Sequence, residues 1–265
     1  MKIVYMAVIT FLFFSCKEAP KKEDIIETST ETEEQVTLNK YPIDLFNVFD
    51  AHGGLDNYKK YRTLSFDIAQ DDYTESHVID LYKRTDKIIA PNYSLGYDGA
   101  DVWLLDKDGK YEGEPNFYHN LMFYFYSMPF VFSDEGLNYE KTAPLEVDGV
   151  SYPGYKISYN SGVGASPKDE YYLHYDAETF QMKWLGYTVT YFSNEPSDKI
   201  NWINYGDWEK VNELLLPKEI TWYTVENGII KEPRNTVSFA NVTASETAKS
   251  DNFYAKPENA KVIAK

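Results

Sequence analysis

Pro115-Asn-Phe-Tyr-His119-Asn-Leu-Met-Phe-Tyr124-Phe-Tyr-Ser-Met-Pro129-Phe-Val-Phe132 decides how the rest of the chain is read. Pro115 suits a first helical turn and Pro129 cannot continue a helix, so Asn116 to Met128 is predicted as one helix of about three turns. Phe117, Leu121, Tyr124 and Met128 recur at helical spacing along one face. Tyr118, Met122, Phe123, Phe125 and Tyr126 make the opposite face nearly as apolar. A helix apolar on every side must be covered on every side. The remainder of the chain has to supply the cover.

That remainder reads as sheet. From Thr63 the period becomes two: Leu64, Phe66 and Ile68 alternate with Ser65, Asp67 and Ala69, and Ile79 and Leu81 with Val78 and Asp80. Asp98-Gly99, Asp108-Gly109, Asp148-Gly149 and Asn227-Gly228 are flanked by strand-like sequence and read as tight hairpin turns between antiparallel neighbours. Further strands are predicted at Asp101 to Asp106, Tyr152 to Tyr159, Asp169 to Tyr175, Met182 to Phe192, Lys199 to Asp207, Leu216 to Val225 and Asn235 to Thr243. Roughly ten strands with one long helix among them exclude a βαβ arrangement. Aromatics occupy both faces of several strands: Trp103, Trp184 with Leu185 and Tyr187, Trp202 with Tyr205, and Trp222 with Tyr223. The expected class is mainly β (α+β), a curved antiparallel sheet holding the aromatic helix inside its curve. Ahead of the sheet, Pro42 to Ala51 is predicted helical with Leu45, Phe46 and Phe49 on one face, and His52-Gly53-Gly54 ends it. A short helical piece, Asp56 to Tyr61, follows.

The N-terminus speaks about location. Lys2 precedes an apolar run, Ile3 to Phe14, that is too short to span a bilayer and reads as an export signal. The run ends in Phe13-Phe14-Ser15-Cys16, which contains the only cysteine of the chain. This resembles the lipobox of bacterial lipoproteins in the loose form common in Bacteroidota, although Phe13 and Phe14 depart from its strict pattern. The resemblance implies cleavage of residues 1–15 as a signal peptide, with Cys16 as the site of lipid attachment. Residues 16–40, rich in Glu, Thr and Lys, are expected to be a disordered acidic tether of about 27 Å r.m.s. span. Lys17-Glu18 resembles the signal that sends some such lipoproteins to the cell surface. An outer-membrane anchor on the periplasmic face or the cell surface is expected, with residues 41–265 as a single domain.

Composition narrows the partners. A formal net charge of −16 disfavours nucleic acid and equally a domain held flat on an anionic membrane. The four histidines, His52, His77, His119 and His174, show no paired metal-ligand spacing, and no serine sits in a nucleophile elbow. Gly162-Val163-Gly164-Ala165-Ser166 lacks the strand and helix context of a phosphate-binding turn. No metal, cofactor or catalytic residue is expected. His52 is read as a last-turn cation suited to the helix dipole, His174 as outward-facing on its strand, and His119 as a structural histidine needing a polar partner within the aromatic helix.

Three segments, in this order and spacing, resemble proteins of the lipoprotein-carrier (LolA/LolB-like) superfamily. Asp98-Gly99-Ala100-Asp101-Val102-Trp103-Leu104-Leu105-Asp106 is similar to its strand entered through a Gly turn. Tyr175-Asp176-Ala177-Glu178-Thr179-Phe180-Gln181-Met182-Lys183 is similar to its strand, Asp-containing turn, strand element. Asn212-Glu213-Leu214-Leu215-Leu216-Pro217-Lys218-Glu219-Ile220 resembles its late Leu-Pro hairpin. Ala51-His52-Gly53-Gly54-Leu55-Asp56 resembles the start of Bacteroidota lipoproteins of this type. The resemblance implies an incomplete barrel plugged by helices over an apolar cavity for acyl chains. The groove candidates are then Phe117, Leu121, Tyr124, Phe125 and Met128 on the plug, with Trp103, Trp184 and Trp222 on the wall. No arginine can be matched to the carrier's latch. The function implied is non-catalytic binding of a lipid or an acylated lipoprotein partner. The alternatives are a protein-interaction module of an envelope complex with a filled core, and a hydrolase using His52 or His119.

Overall fold

A computed structural model describes residues 40–160 and 166–264. The signal peptide, Cys16, almost all of the tether and Gly162 to Ala165 lie outside the described residues. Two meanders build the sheet. The first is β1 (Thr63–Ala69), β2 (Thr74–Asp80), β3 (Asp86–Ile89), β4 (Tyr93–Tyr97) and β5 (Val102–Asp106). The second is β6 (Leu137–Val147), β7 (Val150–Tyr159), β8 (Glu170–Tyr175), β9 (Met182–Tyr187), β10 (Asn201–Val211), β11 (Leu214–Glu226) and β12 (Ile229–Ser245). β1 pairs with β12, which fuses the meanders, and β13 (Lys261–Val262) adds to β5. The 13-stranded order is β13-β5-β4-β3-β2-β1-β12-β11-β10-β9-β8-β7-β6. Its two ends do not pair, so the barrel is incomplete.

The strands that the sequence did not announce are the short β3, β4 and β13 and the edge strand β6. More than half of β6 is exposed, and it carries Glu140, Lys141 and Pro144, the means by which a free edge avoids pairing with another chain. Asp148-Gly149 and Asn227-Gly228 both have φ between +52° and +79°, as two-residue turns of this hand require. Asp108-Gly109 does not make a hairpin. The Asp106 carboxylate accepts the N–H groups of Asp108 and Tyr111 and turns the chain away from the sheet, and β13 takes the free edge of β5. β9 ends at Tyr187, short of Phe192, because the chain beyond bends to give the Thr190 N–H to Asp169 at 2.7 Å.

The aromatic segment is not one helix. It forms α3 (Pro115–Tyr118), α4 (Leu121–Tyr126) and a 3-10 turn (Phe130–Ser133), broken at His119–Asn120. The break follows from two separate anchors. His119 Nδ1 lies 2.7 Å from Asp86 of β3, whereas Phe125 gives its carbonyl to the Tyr205 hydroxyl of β10 at 2.8 Å. A straight rod cannot reach both halves of a curved sheet. The expected burial holds: Tyr126 packs 4.6 Å from Phe66 and 4.3 Å from Phe239, ring to ring, and Phe125 packs 5.1 Å from Tyr187. Each such ring contributes about 1.5–3 kcal/mol by leaving water.

α1 (Ile43–Ala51) buries Leu45, Val48 and Phe49, leaving Phe46 half-buried, and α2 (Leu55–Tyr58) follows. Between them Gly53 has φ +107°, and a Cβ there would stand 2.3 Å from the Glu213 carbonyl. This close approach lets Leu215 N–H reach the His52 carbonyl at 2.9 Å and docks α1 on the β10–β11 turn. No helix among the described residues is long and apolar enough to cross a membrane.

The convex face explains the remaining aromatics. In register, Phe66, His77, Ile88, Leu95 and Leu104 share the plug's side, so Trp103 points the other way. It is covered by α5 (Asp251–Tyr254) and donates its Nε1–H to the Tyr254 carbonyl at 3.0 Å. The same parity puts Trp184, Trp202 and His174 on the convex side. His174 is buried there, not outward-facing, with Nδ1 3.0 Å from the Tyr152 carbonyl. Gly96, Gly154 and Gly186 face Trp103, His174 and Trp202 across the ladder; a Cβ on Gly154 or Gly186 would collide with its partner ring, and one on Gly96 with the Asp86 carbonyl, close against the Trp103 ring. Glycine therefore leaves room for Trp103, His174 and Trp202 on the convex side.

Candidate functional site

The broken plug leaves a cavity on each side. The larger, about 550 Å³, opens between β2, the β3–β4 turn, the 107–114 loop and α3. Tyr73, Tyr93, Tyr111, Phe117, Tyr118 and Phe192 supply its rings, and Glu75 lies among them. Glu75 is 2% exposed. Its carboxylate accepts hydrogen bonds from the Tyr118 hydroxyl at 2.6 Å and from the Tyr93 hydroxyl, with His77 Nε2 at 3.3 Å. His77 is itself stacked on Phe66, 4.9 Å between centroids. Burial pushes the Glu75 carboxyl up, but the bonds from His77, Tyr118 and Tyr93 outweigh it and hold the group below the ordinary range. The carboxylate stays charged. Burial, reinforced by that charge, drives the Tyr93 and Tyr118 phenols well above their usual range, so both remain donors.

The smaller cavity, about 250 Å³, lies on the other side of α4 and is lined by Phe117, Leu121, Tyr124, Phe125 and Met128, with Asp134, Asp169 and Tyr171 opposite. Phe117 belongs to both cavities and forms the wall between them. Trp222 sits below the plug, 5.7 Å from the Phe125 ring, and donates its Nε1–H to the Tyr187 hydroxyl at 2.9 Å. Trp103 and Trp184 do not join these residues, because strand parity sends them to the convex face.

Each histidine is pinned separately. His52 is fully buried, with Nδ1 2.7 Å from the Val48 carbonyl and its ring 4.4 Å from Trp208. Burial lowers its pKa to about 4, so it is neutral at pH 7 rather than a cation complementing the helix dipole. His119 finds its polar partner in buried Asp86. Among the described residues, no cluster of three or more His, Cys, Asp or Glu is placed to hold a metal ion.

Glu75 and Arg84, which organise the site, escaped the sequence reading. Glu75 and His77 share the parity of Ile79, two polar groups on an apolar face, a signal that strand alternation does carry. Arg84 carries none, since Lys83-Arg84-Thr85 reads as an ordinary charged turn. Its guanidinium forms two bonds to Asp134, 2.7 and 2.9 Å, and lies 5.1 Å over the Phe123 ring, tying the β2–β3 turn to the end of the plug.

No protein-family model matches the sequence, and no curated protein matches it significantly. Among solved structures, the chain is similar to a LolA superfamily protein from Nitrosomonas europaea, with 8% identity, a TM-score of 0.47, and coverage of 79% of this chain and 96% of that one. It is also similar to a DUF1329 family protein from Desulfovibrio piger, with 11% identity, a TM-score of 0.48, and coverage of 78% and 95%. At these values neither bears on what this chain binds. The open antiparallel sheet with the aromatic segment inside it is the incomplete barrel expected from the sequence.

Proposed function

We propose that the chain is a lipid-anchored protein of the bacterial envelope that binds the acyl part of a lipid or of an acylated lipoprotein, without catalysis. The observation that carries this reading is the ring-walled cleft of about 550 Å³ on the concave side of an open sheet. Its volume falls in the range of about 300–1,000 Å³ typical of small-molecule sites. In this reading residues 1–15 direct export, Cys16 carries the acyl chains, residues 16–40 tether, and residues 41–265 bind. The anchor is in the outer membrane, on the periplasmic face or the cell surface. A second reading, a protein-interaction module, is favoured by how much of the interior the plug itself fills: Phe123, Tyr126, Phe130 and Phe132 are all buried.

The test uses the full chain with Cys16→Ala, so that no covalent acyl group confuses the result. The purified protein is extracted with organic solvent and the extract analysed by mass spectrometry. Stoichiometric acyl lipid is the expected outcome. A clean extract from folded protein would refute the binding role and leave the interaction module.

A further inference from the structure

We infer that the larger cleft selects amphiphiles whose head is a cation of the alkylammonium type; this rests on the binding role proposed above and adds the charge of the ligand to it. The cleft is lined by four carboxylates, Glu75, Asp106, Glu112 and Glu114, against a single lysine, Lys110. Glu75 is the deepest of them, and its hydrogen-bond partners are two phenols and one imidazole nitrogen. Phenols satisfy the carboxylate's lone pairs without neutralising its charge. Low-dielectric rings around a buried anion focus its field into the cleft rather than screening it.

The rings are arranged to meet a cation. Tyr73 and Tyr93 stand 6.2 Å apart at 82°, and Tyr93 and Tyr111 stand 4.8 Å apart at 63°, so their faces look in different directions around one space. Ring faces attract an ammonium through their quadrupole, most strongly where water is excluded. An anionic head would face the Glu75 charge with Lys110 as the one cationic side chain of the lining to offset it. A neutral head would be accepted without preference. At the mouth, Phe192 is 68% exposed and Phe117 lies 5.2 Å from it, an apolar lip along which a chain can lie while its head sits near Glu75.

The experiment titrates the full chain calorimetrically with dodecyltrimethylammonium, dodecyl maltoside and dodecyl sulfate, each below its micelle-forming concentration. One equivalent of the cationic probe should bind about tenfold more tightly than the neutral probe, the factor expected for a desolvated ammonium over aromatic faces. The sulfate should bind most weakly. Glu75→Gln should abolish the preference. Glu112→Gln with Glu114→Gln, both exposed in the wild type, should narrow it without touching the fold. Because the whole chain carries a formal charge of −16, Glu226→Gln with Glu232→Gln on the distant β11–β12 hairpin serves as the charge-matched control and should leave the preference intact. Equal loss in that control would overturn the inference by tracing the preference to bulk charge. Equal binding of all three probes, or tightest binding of the sulfate, would overturn the head-group selection while leaving the binding role standing. Failure of every probe to bind would overturn both.

Discussion

Replacing His52 with Gln should flatten the acid limb of the protein's stability curve. The imidazole is fully buried at the end of α1, against Trp208, with Nδ1 held by the Val48 carbonyl. Burial pushes its pKa from 6.5 down to about 4; the Val48 bond pulls the other way, and Lys183 adds to the depression. The unfolded chain therefore takes up a proton that the folded chain refuses. The stability held by neutral His52 is fully present above pH 6.5 and is lost as pH falls toward about 4. Integrated between pH 7.5 and pH 5, that difference in protonation amounts to about 2 kcal/mol. Urea unfolding of the full chain, followed by tryptophan fluorescence at the two pH values, measures it. The wild type should lose about 2 kcal/mol more than His52→Gln over this interval. Buried His174, also shifted down by burial, contributes the same sign of slope to both proteins and cancels in the comparison. Parallel pH dependences in the two proteins would refute the assignment of a buried, neutral His52.

Arg84→Ala removes the two-bonded link to Asp134 at the end of the plug. For a partly exposed pair the expected cost is about 1–2 kcal/mol in urea unfolding, with faster amide exchange across Phe130–Ser133; unchanged exchange would show that the pair does not hold the plug. Phe117→Ala takes out the wall between the two cavities. In a chain-length series of neutral alkyl maltosides the best-bound probe should become longer by several carbons, and an unmoved optimum would mean that the cavities do not communicate. Gly186→Ala would set a Cβ 2.8 Å from the Trp202 ring. It should cost about 1–3 kcal/mol, mostly recovered in a Trp202→Leu background; a cost that persists there would place the strain in the backbone instead.

The shape of the site comes from a conflict between local and global demands. Locally, Asn116 to Met128 favours one continuous apolar helix. Globally, its first turn is drawn to β2 and β3 by the Tyr118–Glu75 and His119–Asp86 bonds, and its last turns are held by β10, β11 and the Arg84–Asp134 pair. The break that resolves the conflict is also what leaves space on either side. A straight helix would bring Phe117 and Tyr118 off the β2 wall and merge or erase the larger cleft.

What the sequence determined by itself is what period and turn chemistry encode. Alternation from Leu64 onward, with Asp148-Gly149 and Asn227-Gly228, whose residues adopt positive φ, specifies antiparallel hairpins, whereas Asp108-Gly109 was diverted by the Asp106 carboxylate. The all-round apolar character of Phe117 to Met128 required a cover on both sides, and a sheet curved around it follows from hydrophobic burial alone. Only the tertiary structure decided the face of each large ring. Trp103 and Trp184 were indistinguishable from Trp222 in composition, yet parity across several strands, invisible to any single segment, put the first two on the convex side and the third beneath the plug. The charge of the cleft was decided there as well. Glu75, Asp106 and the Glu112–Glu114 loop are separated in sequence, and although strand alternation marks Glu75 as a polar group on an apolar face, nothing local gathers it with the others. They become one electrostatic environment only when β2, the β5 exit loop and α3 close around a common space.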